Sequence, residues 1–333
     1  MRIGAASMRP NSILVFSKEH FVKLKEWGAF VLLGLIWGSS FLWIKIAVED
    51  VGPLVLASIR VLFGLIGLLV VLRLTGNSFP RERRIIGLYF ILSIFQTALP
   101  FALISWSETR IASSLASILN GTVPLFTILV AHFWLHDEKI TISRIAGLII
   151  GFLGVVTLVS RDFGPEGLSG NLLGQLAMLG ASVSYSIGIT FTRKFLRGQQ
   201  PVVQSTMTLL FADMLLWLNA FSFEQPIILP HRAITWFALL WLGLLGTCIA
   251  YLLYFFLINS WGATRASVVT YVFPVVGLIL GLIFLKETVD WRLGVGSLLV
   301  VAGIVVINLK RQATQASSQV SAPIPATAQA ELD

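Results

Sequence analysis

Apolar residues recur along the chain in blocks of roughly 17–23 positions between short polar breaks, the length at which a helix rising about 1.5 Å per residue crosses a hydrocarbon core. Ten blocks meet this description. Helix 1 is expected over Ala29–Ala47, helix 2 over Pro53–Leu74, helix 3 over Ile85–Trp106, helix 4 over Ile111–Leu135 and helix 5 over Ile142–Val159. Helix 6 follows over Leu172–Phe191, helix 7 over Val203–Phe223, helix 8 over Thr235–Leu257, helix 9 over Ala266–Leu285 and helix 10 over Leu293–Leu309. Barrel strands are excluded, because they run about ten residues with alternating polarity. An apolar island at Ile13–Phe16 is followed at once by Lys18, Glu19, Lys23 and Lys25. That island is too short for a cleavable leader, so helix 1 is expected to be a retained membrane helix. Residues 1–27 read as a cytoplasmic segment, and 310–333, rich in Ala, Ser, Gln and Pro, as a disordered cytoplasmic tail.

Composition agrees with lipid as the solvent: 56% of residues are hydrophobic, 12% are charged, and the mean hydropathy is +0.87. The net charge of +8 does not indicate nucleic acid, since the basic residues lie between apolar blocks rather than on a patch with exposed aromatics. Sorting them into alternate breaks puts seventeen with the N-terminus and the 2–3, 4–5, 6–7, 8–9 and C-terminal segments, against six on the other side. The positive-inside rule therefore predicts both termini in the cytoplasm.

The chain is internally duplicated. Pro53 and Pro201, Phe63 and Phe211, and Lys45 and Arg193 are each 148 residues apart. Ala116-Ser117 with Pro124 recurs 150 residues later as Ala266-Ser267 with Pro274. Glu138, Gly147 and Gly154 recur 149 residues later as Glu287, Gly296 and Gly303. A unit of five helices has odd parity, so the second copy (171–309) runs through the membrane opposite to the first (28–160), the inverted repeat of secondary transporters. The expected fold is thus an all-α integral membrane protein of ten transmembrane helices in two inverted five-helix repeats, N-in and C-in.

Trp37-Gly38-Ser39-Ser40-Phe41 with Lys45, then Arg60, then the Pro124, Glu138, Gly147, Gly154 series and its recurrence as Pro274, Glu287, Gly296, Gly303 resemble the drug/metabolite transporter superfamily in its ten-helix EamA-type branch. The resemblance spans about residues 28–309. It implies a secondary transporter in the plasma membrane, the inner membrane of a bacterium. Such a carrier is often an exporter of metabolites such as amino acids, and one branch carries aromatic amino acids. Tyr185 departs from the pattern, standing where the first repeat has Trp37.

Polar groups at membrane depth need partners in the protein or a wet cavity, which makes each a candidate. Trp37 and Ser40 read either as cavity wall or as packing between helices. Gln96, Thr97 and Pro100 in helix 3, with Thr247 in helix 8, suggest a shared polar site. Asn120 and Thr270 each precede a proline, Pro124 and Pro274, by one turn. A proline frees the carbonyl one turn back for a ligand or a hinge. Trp106, Tyr185, Tyr251 and Tyr254 are candidates for stacking on a substrate, Trp106 also for an interfacial belt. Inversion puts Lys45 with Glu287 at the outer mouth and Arg193 with Glu138 at the inner one, which suggests a charge pair gating each. Asp213, eleven residues into helix 7, is a candidate for proton coupling, or alternatively for compensation of Arg60.

Other classes fare worse. Cys248 is the only cysteine, and His20, His132, His136 and His231 lack metal-ligand spacing. His132 has no evident serine partner for intramembrane hydrolysis, and no phosphate-binding loop suggests an ATP-driven pump. The expected partners are a small-molecule substrate and membrane lipid, with no nucleic acid and no cofactor, in a monomer or homodimer. The mixture of aromatic and hydroxyl or amide groups points to small amphipathic metabolites, amino acids first.

Overall fold

The computed structural model describes residues 11–135, 141–160, 163–164, 167–168, 170–261, 266–288 and 290–320. They form ten apolar helical segments in the expected order. Helix 1 runs Asn11–Ala47, helix 2 Pro53–Leu74, helix 5 Ile142–Val159, helix 6 Gly170–Phe195, helix 7 Pro201–Phe223 and helix 10 Trp291–Val320. Helix 1 starts well before Ala29, and helix 10 continues past Leu309 into the segment read as a tail. The other four are composite. Helix 3 joins Arg83–Ser93, wide π turns at Ile94–Ala98, and Leu99–Glu108. Helix 4 is Ser113–Asn120 and Val123–Trp134, and helix 8 is Ala233–Leu240, π turns at Trp241–Ile249, and Ala250–Trp261. Helix 9 opens as a 3-10 helix, Ser267–Tyr271, and continues as Val272–Phe284. Eight segments are long and apolar enough to cross a membrane; the apolar stretches of helices 9 and 10, Val268–Phe284 and Trp291–Ile307, are shorter. A ladder of two residues a side, Phe163–Gly164 with Gly167–Leu168, precedes helix 6.

The contacts obey the duplication. Helix 1 packs on helix 9 as helix 6 packs on helix 4, helix 2 on helix 8 as helix 7 on helix 3, and helix 3 on helix 6 as helix 8 on helix 1. Three pairs map onto themselves: 2 with 7, 4 with 9, and 5 with 10. Adding five to each helix number thus reproduces these main pairs, which is a pseudo-two-fold relation between the repeats. Local distortions follow the same relation, since the π turns fall in helices 3 and 8 and the helical breaks in 4 and 9.

Without a hydrophobic force between helices in lipid, close backbone approach must supply the packing. The 5–10 pair shows this most clearly. A Cβ built on Gly303 would lie 2.5 Å from Gly151 N and 2.6 Å from Gly147 O, so no side chain fits there. Helices 1 and 9 meet where Gly34 and Gly38 face Val272 and Val276. Prolines open helices 2 and 7 at Pro53 and Pro201, where the missing N–H costs nothing.

Candidate functional site

Breaking a helix inside a membrane strands backbone carbonyls, and helix 6 supplies hydroxyls to several of them. Ser182 Oγ donates to Leu119 O (3.2 Å) and Ser186 Oγ to Val123 O (3.0 Å), on either side of the helix 4 break ahead of Pro124. Ser184 Oγ donates to Phe95 O (2.9 Å) within the π turns that precede Pro100. Three serines two residues apart thus stitch helix 6 to helices 3 and 4. The alternation was visible in the sequence, but its meaning depends on which carbonyls face it. Helix 8 has π turns with no proline in them. There Thr247 Oγ1 donates to Leu242 O (2.9 Å), and the Gly246 carbonyl accepts from Trp37 Nε1 (3.0 Å).

Trp37 is therefore packed between helices. Its ring lies 5.4 Å from Tyr254 and meets Phe273 edge-on at 5.3 Å. Ser40 is buried, donates to Ile36 O (3.2 Å), and sits near the Gly246 backbone. Thr247 turns its methyl towards Gly64 of helix 2 and spends its hydroxyl on Leu242 O within helix 8. Thr270 lies in the 3-10 turn ahead of Pro274, and Trp106 is covered by the Arg110 guanidinium at 4.2 Å.

A second group converges where helices 2, 3, 6 and 8 meet. Arg60 is buried, with its guanidinium 4.1 Å from the centre of the Phe101 ring, and it lies within electrostatic reach of Tyr185, Tyr251 and Glu108. Thr97 Oγ1 lies beside the Tyr251 hydroxyl without an aligned hydrogen bond, and Gln96 Oε1 is pressed against Gly188. Arg60 Nε, Gln96 Oε1, Thr97 Oγ1 and, at the helix 4 break, Asn120 Oδ1 are buried with no hydrogen-bond partner. Native interiors satisfy almost all such groups, and a cluster of exceptions is the signature of a site that a polar guest or water completes.

Asp213 stands apart. It is half-buried, its Oδ1 has no hydrogen-bond partner, and it is not among the charges acting on Arg60. The compensation of Arg60 by Asp213 is thus replaced by an arginine over an aromatic ring, with Glu108 as the acid that acts on it.

The charges expected at the outer mouth are arranged differently from an ion pair. Lys45 Nζ donates to the carbonyls of Glu108 (2.6 Å) and Ile111 (2.8 Å) at the end of helix 3. The Glu287 carboxylate accepts from Ser113 N (2.7 Å) and Ser114 N (3.0 Å) at the start of helix 4. Each charge binds the helix end of opposite dipole, and both clamp the same 3–4 connection instead of each other. A cavity of about 380 Å³ opens over this connection, lined in part by Arg110, Ile111, Leu115, Lys286 and Glu287. Its counterpart at the other mouth is only partly visible: Arg193 ends helix 6 with a partner of its own, and Glu138 lies outside the described residues.

Two further carboxylates do the same work. Glu224 accepts from Leu54 N (3.2 Å) and Val55 N (2.7 Å) at the start of helix 2, and Asp50 accepts from His231 N and Arg232 N (both 3.0 Å) ahead of helix 8. The Arg232 amide above all, with help from Thr235 and His231, holds the Asp50 carboxyl below the usual carboxylate range. Neither acid stands out in the sequence, because their targets lie 169 to 182 residues away. Glu108 does not stand out either, because along the sequence it falls in the polar break between helices 3 and 4.

Helices long enough to span a bilayer, a duplicated unit with matching packing, and buried polar groups at the meeting of the repeats define a multi-pass membrane transport protein. The chain belongs to the EamA-like transporter family, whose model matches it twice, over residues 24–160 and 172–309. It is 30% identical over 298 residues to the uncharacterized inner membrane transporter YedA of Escherichia coli K12, covering 86% of this chain and 91% of that one. It is also 26% identical over 276 residues to the uncharacterized transporter YoaV of Bacillus subtilis, covering 81% and 92%. A solved crystal structure at 18% identity, covering 86% of this chain and 98% of its own, shares the fold with a TM-score of 0.63.

Proposed function

We infer that this protein is a secondary transporter that exports small amphipathic metabolites, amino acids first, from the cytoplasm by alternating access. The observation that carries this reading is the convergence of Arg60, Tyr185, Tyr251, Gln96 and Thr97, four of its helices coming from both repeats, with polar atoms left unsatisfied in a buried place. Arg60 offers a fixed cation for a carboxylate, while Phe101 and the two tyrosines offer apolar faces for a side chain. An inner-membrane location with both termini cytoplasmic is supported by the seventeen-to-six distribution of basic residues and by the relative named as an inner membrane transporter. Lys45 and Glu287 would gate by holding or releasing the 3–4 connection, and Pro100, Pro124 and Pro274 mark where helices 3, 4 and 9 can bend. Direction rests on the family resemblance, because an inverted repeat permits either and the driving gradient decides.

The test is counterflow of radiolabelled neutral and aromatic amino acids in proteoliposomes, with Arg60→Gln and Asn120→Ala as controls. Exchange that depends on Arg60 supports the reading. Absence of exchange for every amino acid, beside robust exchange of a phosphorylated solute, rejects it.

A further inference from the structure

Glu108 closes helix 3 and is completely buried, yet neither carboxylate oxygen has a hydrogen-bond partner. Among the described residues no Lys, Arg or His nitrogen lies within ion-pair distance of it. A carboxylate unpaired in a low-dielectric place is strongly disfavoured unless it binds a proton or a cationic partner, and an ammonium that comes and goes is a partner that would complete it. Three charges act on it: Lys45, Glu287 and Arg60. Lys45 is engaged by two carbonyls, and Glu287 by two amides. Arg60 is the remaining buried charge, and its Nε is unpartnered too.

The two sit at the same end of the bundle. Arg60 is seven residues past Pro53, about 10 Å along helix 2 from the face where helix 3 ends at Glu108. With both acids ionised, the two positive and two negative side chains balance. A guest of net charge would unbalance it, whereas a guest of opposite, separated charges satisfies both unpartnered groups and changes nothing in the sum.

We propose that Glu108 and Arg60 form a dipolar receptor for a zwitterionic solute, Glu108 taking its ammonium and Arg60 its carboxylate. This rests on the export reading above and narrows its substrate class to solutes carrying both groups. Tyr185 and Tyr251 flank Arg60 and leave the solute's side chain against aromatic surface.

The experiment uses three probes of one skeleton in proteoliposomes: phenylalanine, its decarboxylated amine phenethylamine, and its deaminated acid 3-phenylpropanoate, as competitors of phenylalanine counterflow. Wild type should favour phenylalanine over either single-charge analogue by tenfold or more. Glu108→Gln should lose most of the preference over 3-phenylpropanoate, and Arg60→Gln most of the preference over phenethylamine. A purely structural role would weaken all three probes together, and Glu108→Asp and Arg60→Lys should restore part of each preference. Ligand-induced shifts of the thermal unfolding midpoint in detergent give a second readout that needs no transport. If amino acids exchange but Glu108→Gln keeps the wild-type preference order, the receptor is wrong while the export reading stands. If phenylalanine raises the unfolding midpoint only when both charges are present and yet does not exchange, the receptor stands and transport of this solute fails. Neither exchange nor a shift with any zwitterion overturns both.

Discussion

Exchanging the charges at positions 45 and 287 distinguishes a clamp on the helix 3–4 connection from a direct ion pair. Lys45→Glu replaces an ammonium on two carbonyls by a carboxylate facing the same oxygens, and Glu287→Lys places an ammonium against the amides of Ser113 and Ser114. Hydrogen bonds to charged groups contribute about 1.5–3 kcal/mol each, and half-buried geometry puts these at the lower end. Two bonds are lost at each site, so each single change should cost about 3 kcal/mol by that scale, plus about 0.3–1 kcal/mol for a charge of the wrong sign at a helix end. A direct pair would regain most of this in the double exchange. A clamp regains none, because both exchanged charges still meet the wrong backbone groups. Thermal unfolding of the three variants in detergent, followed by tryptophan fluorescence, reads the cycle. We expect the double exchange to unfold no higher than the less stable single variant. A double variant that recovers half or more of the single losses would refute the clamp.

The Glu224 cap gives a sharper cycle, because a Cβ on Gly52 would fall 2.2 Å from the Glu224 carboxyl carbon; Gly52→Ala and Glu224→Ala should each cost about 1–2 kcal/mol, and the double variant little more than one alone in the same unfolding assay. For Asp50, whose carboxyl is held below its ordinary value, the stabilisation is fully present above the unfolded value of about 3.9 and is lost as pH falls through the folded value. Unfolding midpoints of wild type and Asp50→Ala should therefore keep a constant gap from pH 7 down to about pH 4 and close it only below that; a gap that persists unchanged down to about pH 2 would contradict the capping role. In the 5–10 pair, Gly303→Ala should cost about 1–3 kcal/mol by overpacking, whereas Gly294→Ala in the same helix, with open space around its Cβ, should be neutral or slightly stabilising.

Much of this molecule was legible along the chain because the relevant physics is local or periodic. Lipid demands apolar runs of fixed length, so the ten helices showed themselves in order. The duplicated Pro, Glu and Gly positions announced two repeats, and the main packing pairs repeat when each helix number is advanced by five. Pro124 and Pro274 signalled breaks because a missing N–H acts within one turn. Other features required helices that are distant in sequence to come together. The π turns of helix 8 contain no proline, and Trp37 of helix 1 takes up one of their carbonyls. Lys45 and Glu287 were visible as opposite charges on one side, but only tertiary contact showed that their partners are helix ends. Glu108 looked like a loop acid in a polar break. The packed helices around it remove it from water, and that burial, which no local pattern encodes, turns an ordinary carboxylate into the least satisfied group of the site.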